Sequence, residues 1–328
     1  MKHLPVILST VVALSAHGAT EPLPRHFYGA RLEPVSNVLH GAGQVNASDV
    51  ESYSQAVAPY APAIFMDYCG ANSDGAAFAR QLRKKLQAFP RYTAVQLGLC
   101  MTQDGKPEAH YEQDVAAGKY DSNLNALLTH LKKLDVPFYI RIGYECNGAW
   151  NGYQPETYKK AFQHVTQMIR ASGLNAATVW CPHPNKLQKA MNYYPGDEWV
   201  DWWAVDVFSP EHIEDCKPLI AEAHKHGKPM MIGESTPQGV GVLGGKASWG
   251  RWFGPYFDLI HANPGIKAFC YINWNWSEYA LWKDWGDARL QANKEIADLY
   301  KNEMALPLYL HGATREAFQS ALSATGNK

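Results

Sequence analysis

The stretch Phe138-Tyr139-Ile140-Arg141-Ile142-Gly143-Tyr144-Glu145-Cys146-Asn147-Gly148-Ala149-Trp150 decides how the rest of the chain is read. It follows Val136-Pro137 as an apolar run, so it reads as a buried strand over Phe138–Glu145. Alternation along that strand puts Tyr139, Arg141, Gly143 and Glu145 on one face and Phe138, Ile140, Ile142 and Tyr144 on the other. An arginine and a glutamate therefore share one face of an apolar segment. Burying two charges is costly unless they are paired or put to chemical use. On this stretch alone a structural ion pair and a reacting group are both open.

A second stretch tips the balance. Lys228-Pro229-Met230-Met231-Ile232-Gly233-Glu234-Ser235 is again an apolar run that ends in a glutamate, with Met230, Ile232 and Glu234 on one face. Between and around these two, extended segments alternate with amphipathic helical ones. The candidate strands are Phe27–Leu32, Ala63–Tyr68, Ala94–Cys100, Phe138–Glu145, Thr178–Cys181, Trp202–Phe208, Met230–Glu234 and Ala268–Trp274. Gln154-Pro155-Glu156 opens a helix whose apolar face is Tyr158, Phe162, Val165 and Ile169, and Gly173 ends it. Asp121 is expected to cap another helix, with a stripe at Leu124, Leu127, Leu128, Leu131 and Leu134. Strand and helix in alternation, to a count of eight, imply parallel strands with right-handed crossovers closed into a single-domain (β/α)8 TIM barrel. An open doubly wound sheet is the competing architecture, but no strand leads into a GxGxxG turn or a P-loop.

In such a barrel the active site lies at the C-terminal strand ends. Arg31, Asp67, Glu145, Asn147, Asp206, Glu234, Trp274 and Trp276 fall at those ends in this reading, with Arg31 and Asp67 expected to pair at the mouth. Two glutamates facing each other across the mouth suit glycosidic cleavage with retention. One carboxyl protonates the leaving oxygen while the other attacks the anomeric carbon, the two carboxyls standing about 5–5.5 Å apart. Glu145 is expected as acid/base and Glu234 as nucleophile, with Arg141 favouring the charged form of the nucleophile or serving as a core strut.

These residues resemble a known family. Arg141-Ile142-Gly143-Tyr144-Glu145-Cys146-Asn147-Gly148-Ala149-Trp150 is similar to the acid/base strand of clan A glycoside hydrolases, family 26 in particular. That family has His before the acid/base glutamate and other clan members have Asn, whereas this chain has Tyr144. The likeness runs on through Tyr158 to Trp180, Asp206, Gly233-Glu234 and Tyr271-Ile272-Asn273-Trp274. It implies an eight-fold barrel and endo-acting, retaining hydrolysis of a β-linked polysaccharide such as β-mannan, β-1,3-xylan or β-glucan. Carried over by position, Glu145 is the acid/base, Glu234 the nucleophile and Trp274 a sugar platform. Arg141, Tyr144, Asn147, Trp150, Asp206, Trp276 and Asp67 are expected to contact substrate. A glycan-binding protein on a hydrolase barrel is the alternative, though it would need neither glutamate.

Composition fits this reading. The formal net charge is −1, and no basic patch or helix-turn-helix pattern points to nucleic acid. Eleven Trp and eighteen Tyr suit a sugar-binding cleft as well as a core. Lys2-His3 followed by the apolar run Leu4–Ala16 and small residues at Gly18 and Ala19 reads as a signal peptide over residues 1–19. A barrel over 20–305 and a helix with a frayed tail over 306–328 complete the expected organisation. The protein is thus expected to be secreted or periplasmic, with no membrane segment, and to act as a monomer. Six cysteines enter an oxidising compartment, where fifteen pairings are open. A Cys69–Cys100 bridge and a set of buried thiols are the two readings. Neither a metal nor a cofactor is expected, since no His-x-His strand or HExxH helix occurs.

Overall fold

The computed structural model describes residues 21–43, 47–87, 89, 91–103, 106–184 and 186–322; the expected signal peptide lies outside them. Eight parallel strands close into a barrel. They are β1 (Val38–Gly43), β2 (Ile64–Gly70), β3 (Ala94–Cys100), β4 (Phe138–Ile142), β5 (Ala176–Trp180), β6 (Trp202–Val207), β7 (Met230–Ser235) and β8 (Ile266–Tyr271). Each pairs with the next, and β1 closes the ring by pairing with both β2 and β8. A ninth strand, β9 (Tyr309–Leu310), adds to the start of β1. The single-domain (β/α)8 barrel expected from the alternation is the architecture observed.

Seven of the eight expected strands are present, Ala94–Cys100 with both ends as expected and the other six with one or both ends shifted, and the first is elsewhere. Residues 27–32 are not a strand, because Gly29 and Leu32 adopt positive φ (77° and 58°) and turn the chain. The segment instead plugs the N-terminal end of the barrel. Trp202 donates its indole N–H to Arg31 O at 2.7 Å, Tyr139 donates to Leu32 O at 2.6 Å, and Lys267 donates to His26 O and Val35 O. Arg31 therefore sits at the opposite end of the barrel from the mouth and does not meet Asp67. The true β1, Val-Leu-His-Gly-Ala-Gly, lacks a β-branched alternating pattern because its backbone is crowded. A Cβ at Gly43 would lie 2.4 Å from Met66 Cβ, and one at Gly41 2.6 Å from Cys270 Sγ.

The helix Pro155–Ser172 forms as its signals dictate. Pro155 opens it, Tyr158, Phe162, Val165 and Ile169 face the barrel, and Gly173 closes it at φ 64°. Asp121 does not cap its helix (Asp121–Lys132); it lies in the first turn and binds His164 of the neighbouring helix at 2.6 Å. Much of the aromatic surplus is core: Trp180, Trp202, Trp203 and Trp252 are fully buried. All six cysteines are thiols. Strand pairing sets Cys69 opposite Leu99 and Cys100 opposite Gly70, one residue out of register, so the expected bridge is not formed. No helix among the described residues is long and apolar enough to cross a membrane.

Candidate active site

At the C-terminal end of the barrel the interior is floored by three charged side chains. Arg141 of β4 is fully buried and donates from Nη1 to both oxygens of Asp206 on β6, at 2.9 and 3.1 Å. Its Nη2 donates to Glu234 at the end of β7. Alternation delivers Arg141 to the interior together with Tyr139. Glu234 arrives there by a different route, because β7 carries a bulge. Val205 pairs with Ile232 but Asp206 with Glu234, leaving Gly233 as the extra residue. Gln96 of β3 holds that bulge by donating to Gly233 O at 2.9 Å. Only glycine fits the position, since a Cβ would lie 2.8 Å from both Arg141 Nη1 and Asp206 Oδ1.

Glu145 is placed by a turn, not by the strand. β4 ends at Ile142, Gly143 takes φ 56°, and Glu145 itself takes φ 50°. A left-handed conformation is uncommon for a residue with a side chain and persists where its surroundings over-determine it. Here Gly148 N–H donates to Glu145 O at 2.8 Å, Asn151 donates to the carbonyls of Tyr144 and Glu145, and Cys146 N–H reaches Cys181 O. The turn breaks alternation, so Tyr144 also faces the mouth. Its ring covers the Arg141 guanidinium at 4.8 Å and packs on Tyr68 at 5.6 Å. The Glu145 carboxyl accepts the Trp150 indole N–H on Oε2 at 2.8 Å.

The electrostatics separate the two glutamates. Burial first, and then the charges of Asp206 and Glu234, push the Glu145 carboxyl well above the ordinary carboxylate range. Glu234 instead shares the Arg141 guanidinium. Burial also pushes the Asp206 carboxyl up, against the pull of Arg141. A proton-holding carboxyl and a cation-bound carboxylate on facing strand ends are the equipment of acid-assisted displacement at an acetal carbon.

Comparison with known proteins agrees. The profile of Glycosyl hydrolase family 26 matches residues 105–240, which include β4, β5, β6 and β7. The chain is a clan A, family 26-like glycoside hydrolase. It is 29% identical over 348 residues to a β-1,3-xylanase of Alcaligenes sp., covering 93% of this chain and 71% of that one. The β-1,3-xylanase TXYA of a Vibrio species is 28% identical, with 92% and 72% covered. Among solved structures, a family 26 β-mannanase of Bacteroides ovatus superposes with a TM-score of 0.60 at 16% identity, covering 84% of this chain and 90% of that one.

Within this family 26-like hydrolase the other expected residues divide sharply. Trp150, 43% exposed, and the partly exposed Trp274 lie at the mouth. Asp67 does not: it leaves the outer face of β2 and pairs with Lys85 of the helix Gly75–Gln87 at 2.7 Å. The side chain that β2 sends to the mouth is its neighbour, Tyr68. Asp206 is fully buried beneath Arg141 and orients its guanidinium. Asn147 is likewise buried and clamps the following loop, accepting from His183 N at 2.7 Å and donating to His183 O at 3.2 Å. Trp276 is buried with its indole N–H on Thr236 at 2.9 Å, and supports the half-buried rings around it.

Tyr68 and Gln96 were missed because one residue of register decides which side chain faces inward. The rim aromatics form a chain of ring contacts. Trp274 lies 4.1 Å from Tyr279 and 4.9 Å from Trp276, which in turn contacts Trp282 and Trp285.

Proposed function

We propose that this family 26-like hydrolase is an exported, retaining endo-β-1,3-xylanase, with Glu145 as acid/base and Glu234 as nucleophile. The observation that carries the assignment of roles is the Asp206–Arg141–Glu234 line of contacts, with the proton-holding Glu145 opposite. Support for the substrate comes from the two β-1,3-xylanases, whose likeness extends over nine-tenths of this chain. The apolar leader over residues 1–19 supports export.

In the first step Glu234 attacks the anomeric carbon and the glycosidic C–O bond breaks. Glu145 gives its proton to the departing oxygen, leaving a glycosyl ester on Glu234. In the second step Glu145, now ionised, removes a proton from water as the water attacks the same carbon, and the ester bond breaks to restore Glu234. Arg141, which cannot lose its proton, holds and aims the Glu234 carboxylate through Nη2. Trp150, Tyr144 and Trp274 are the side chains placed to touch sugar rings. Every group in this scheme comes from one copy of the chain.

Release of reducing ends from β-1,3-xylan tests the proposal, beside β-mannan and mixed-linkage β-glucan as competitors. The expected result is activity on β-1,3-xylan that falls at least about 10³-fold in both Glu145→Gln and Glu234→Gln. A protein that binds a glycan and cleaves none would overturn it.

A further inference from the structure

The rings behind Glu145 form a second device. Trp150 is 43% exposed, too open for burial alone to fix its indole. Three contacts define it: the N–H on Glu145 Oε2, the indole lying against Gly148, where a Cβ would come within 2.5 Å of Trp150 Cε2, and a T-shaped packing of its ring on His183, centroids 5.0 Å apart at 80°. His183 is itself tied to the acid/base loop, since its backbone N–H and C=O each bond the Asn147 amide, two residues past Glu145. Its far side packs on His212, centroids 4.9 Å apart at 89°. His212 accepts the Phe208 N–H on Nδ1 at 3.2 Å, which keeps that nitrogen unprotonated. Burial lowers the proton affinity of His212 as well.

We propose that His183 is a positioning residue for the acid/base: its ring pins the Trp150 indole so that the N–H stays on Glu145 Oε2. That contact leaves Oε1 as the oxygen that carries and delivers the proton. Proton transfer rewards a fixed donor, and a carboxyl free to turn about its last bond presents either oxygen. The inference rests on the acid/base role proposed above for Glu145.

The test compares His183→Ala, His183→Phe, Trp150→Phe and the His183→Ala/Trp150→Phe double variant on two substrates. One is β-1,3-xylan, whose leaving group needs a proton. The other is a 2,4-dinitrophenyl β-1,3-xylobioside, whose leaving group does not. His183→Ala is expected to lower kcat/KM on the xylan about 10–100-fold, through kcat and with KM little changed, and to lower kcat/KM for the dinitrophenyl substrate, which reports the first step alone, less than about 3-fold. His183→Phe, which keeps a ring, restores most of the loss. The double variant is no worse than Trp150→Phe, because both act through one hydrogen bond. Additive losses, or equal losses on both substrates, would overturn the inference.

A substrate-free reading keeps the two proposals apart. The Trp150 indole N–H resonance, assigned with Trp150→Phe, should move with Glu145 protonation in the parent protein and in His183→Phe, and approach that of a solvated indole in His183→Ala. An unchanged resonance in His183→Ala defeats the role of His183 whatever polysaccharide the enzyme cleaves. Absence of xylan cleavage with the resonance behaving as stated defeats only the function proposed above.

Discussion

Arg141 and Asp206 are joined through one guanidinium nitrogen to both carboxylate oxygens, at 2.9 and 3.1 Å, with no solvent reaching either side chain. This pair fixes the direction in which Arg141 offers its remaining nitrogen, and that direction is Glu234. Asp206 thus acts on the candidate nucleophile at one remove.

Asp206→Asn keeps the shape and removes the charge. The guanidinium loses its anchor and is left in a dry site with one anion. We expect kcat on β-1,3-xylan to fall about 10²-fold with KM little altered. Removing the side chain in Asp206→Ala should destabilise the fold by about 3–5 kcal/mol, as for other broken buried pairs. Steady-state kinetics and urea unfolding check the two numbers.

Glu145 must hold a proton to act as the acid, and burial with the neighbouring carboxylates pushes its carboxyl well above the ordinary range. The alkaline limb of the kcat/KM–pH profile should therefore lie above the range of an ordinary carboxyl. Activity persists below that limb and is lost as pH rises through it. A limb at the position of an ordinary surface glutamate contradicts this account.

Gly233→Ala places a methyl 2.8 Å from Arg141 Nη1 and Asp206 Oδ1, with neither able to retreat without breaking the pair. The expected cost is about 1–3 kcal/mol of stability. A parallel loss of kcat is expected too, because the displaced group is the one that aims Glu234. Thermal unfolding and kinetics on the same preparation separate the two effects.

Lys267, at the closed end, donates to His26 O at 2.8 Å and Val35 O at 3.0 Å, with Glu33 at 3.8 Å. Burial pushes its ammonium down to about 8, against about 10.4 for an exposed lysine. Between these values the unfolded chain holds a proton that the folded chain has released, so this group makes stability rise with pH across that window. Lys267→Met removes the contribution. The change in unfolding free energy from pH 8 to pH 10 should be more negative in the variant than in the parent.

How far the sequence reads is visible in particular residues. The apolar runs at β3, β6 and β7 show their ends because a fully buried parallel strand is apolar throughout. The run Phe27–Leu32 has the same composition but folds as a plug, since its Gly29 and Leu32 turns are tertiary facts. β1 was hidden by the glycines that its crowded neighbours demand. Both acids were legible as polar ends of apolar runs. The routes that carry them to the mouth, a left-handed turn at Glu145 and a bulge at Gly233, were not, and the same loss of phase brought Tyr144 inward. Asp67 failed for the opposite reason: alternation does hold along β2, and it sends Tyr68 to the mouth.

Trapping the sugar on the enzyme tests the central claim most directly. A 2-deoxy-2-fluoro β-xylobioside with a dinitrophenyl leaving group slows the second step more than the first, so the glycosyl ester accumulates and can be located by peptide mass spectrometry. The account predicts stoichiometric labelling of the peptide carrying Glu234, absent in Glu234→Gln. A label on any other side chain, or a first-formed product of inverted anomeric configuration, would contradict it.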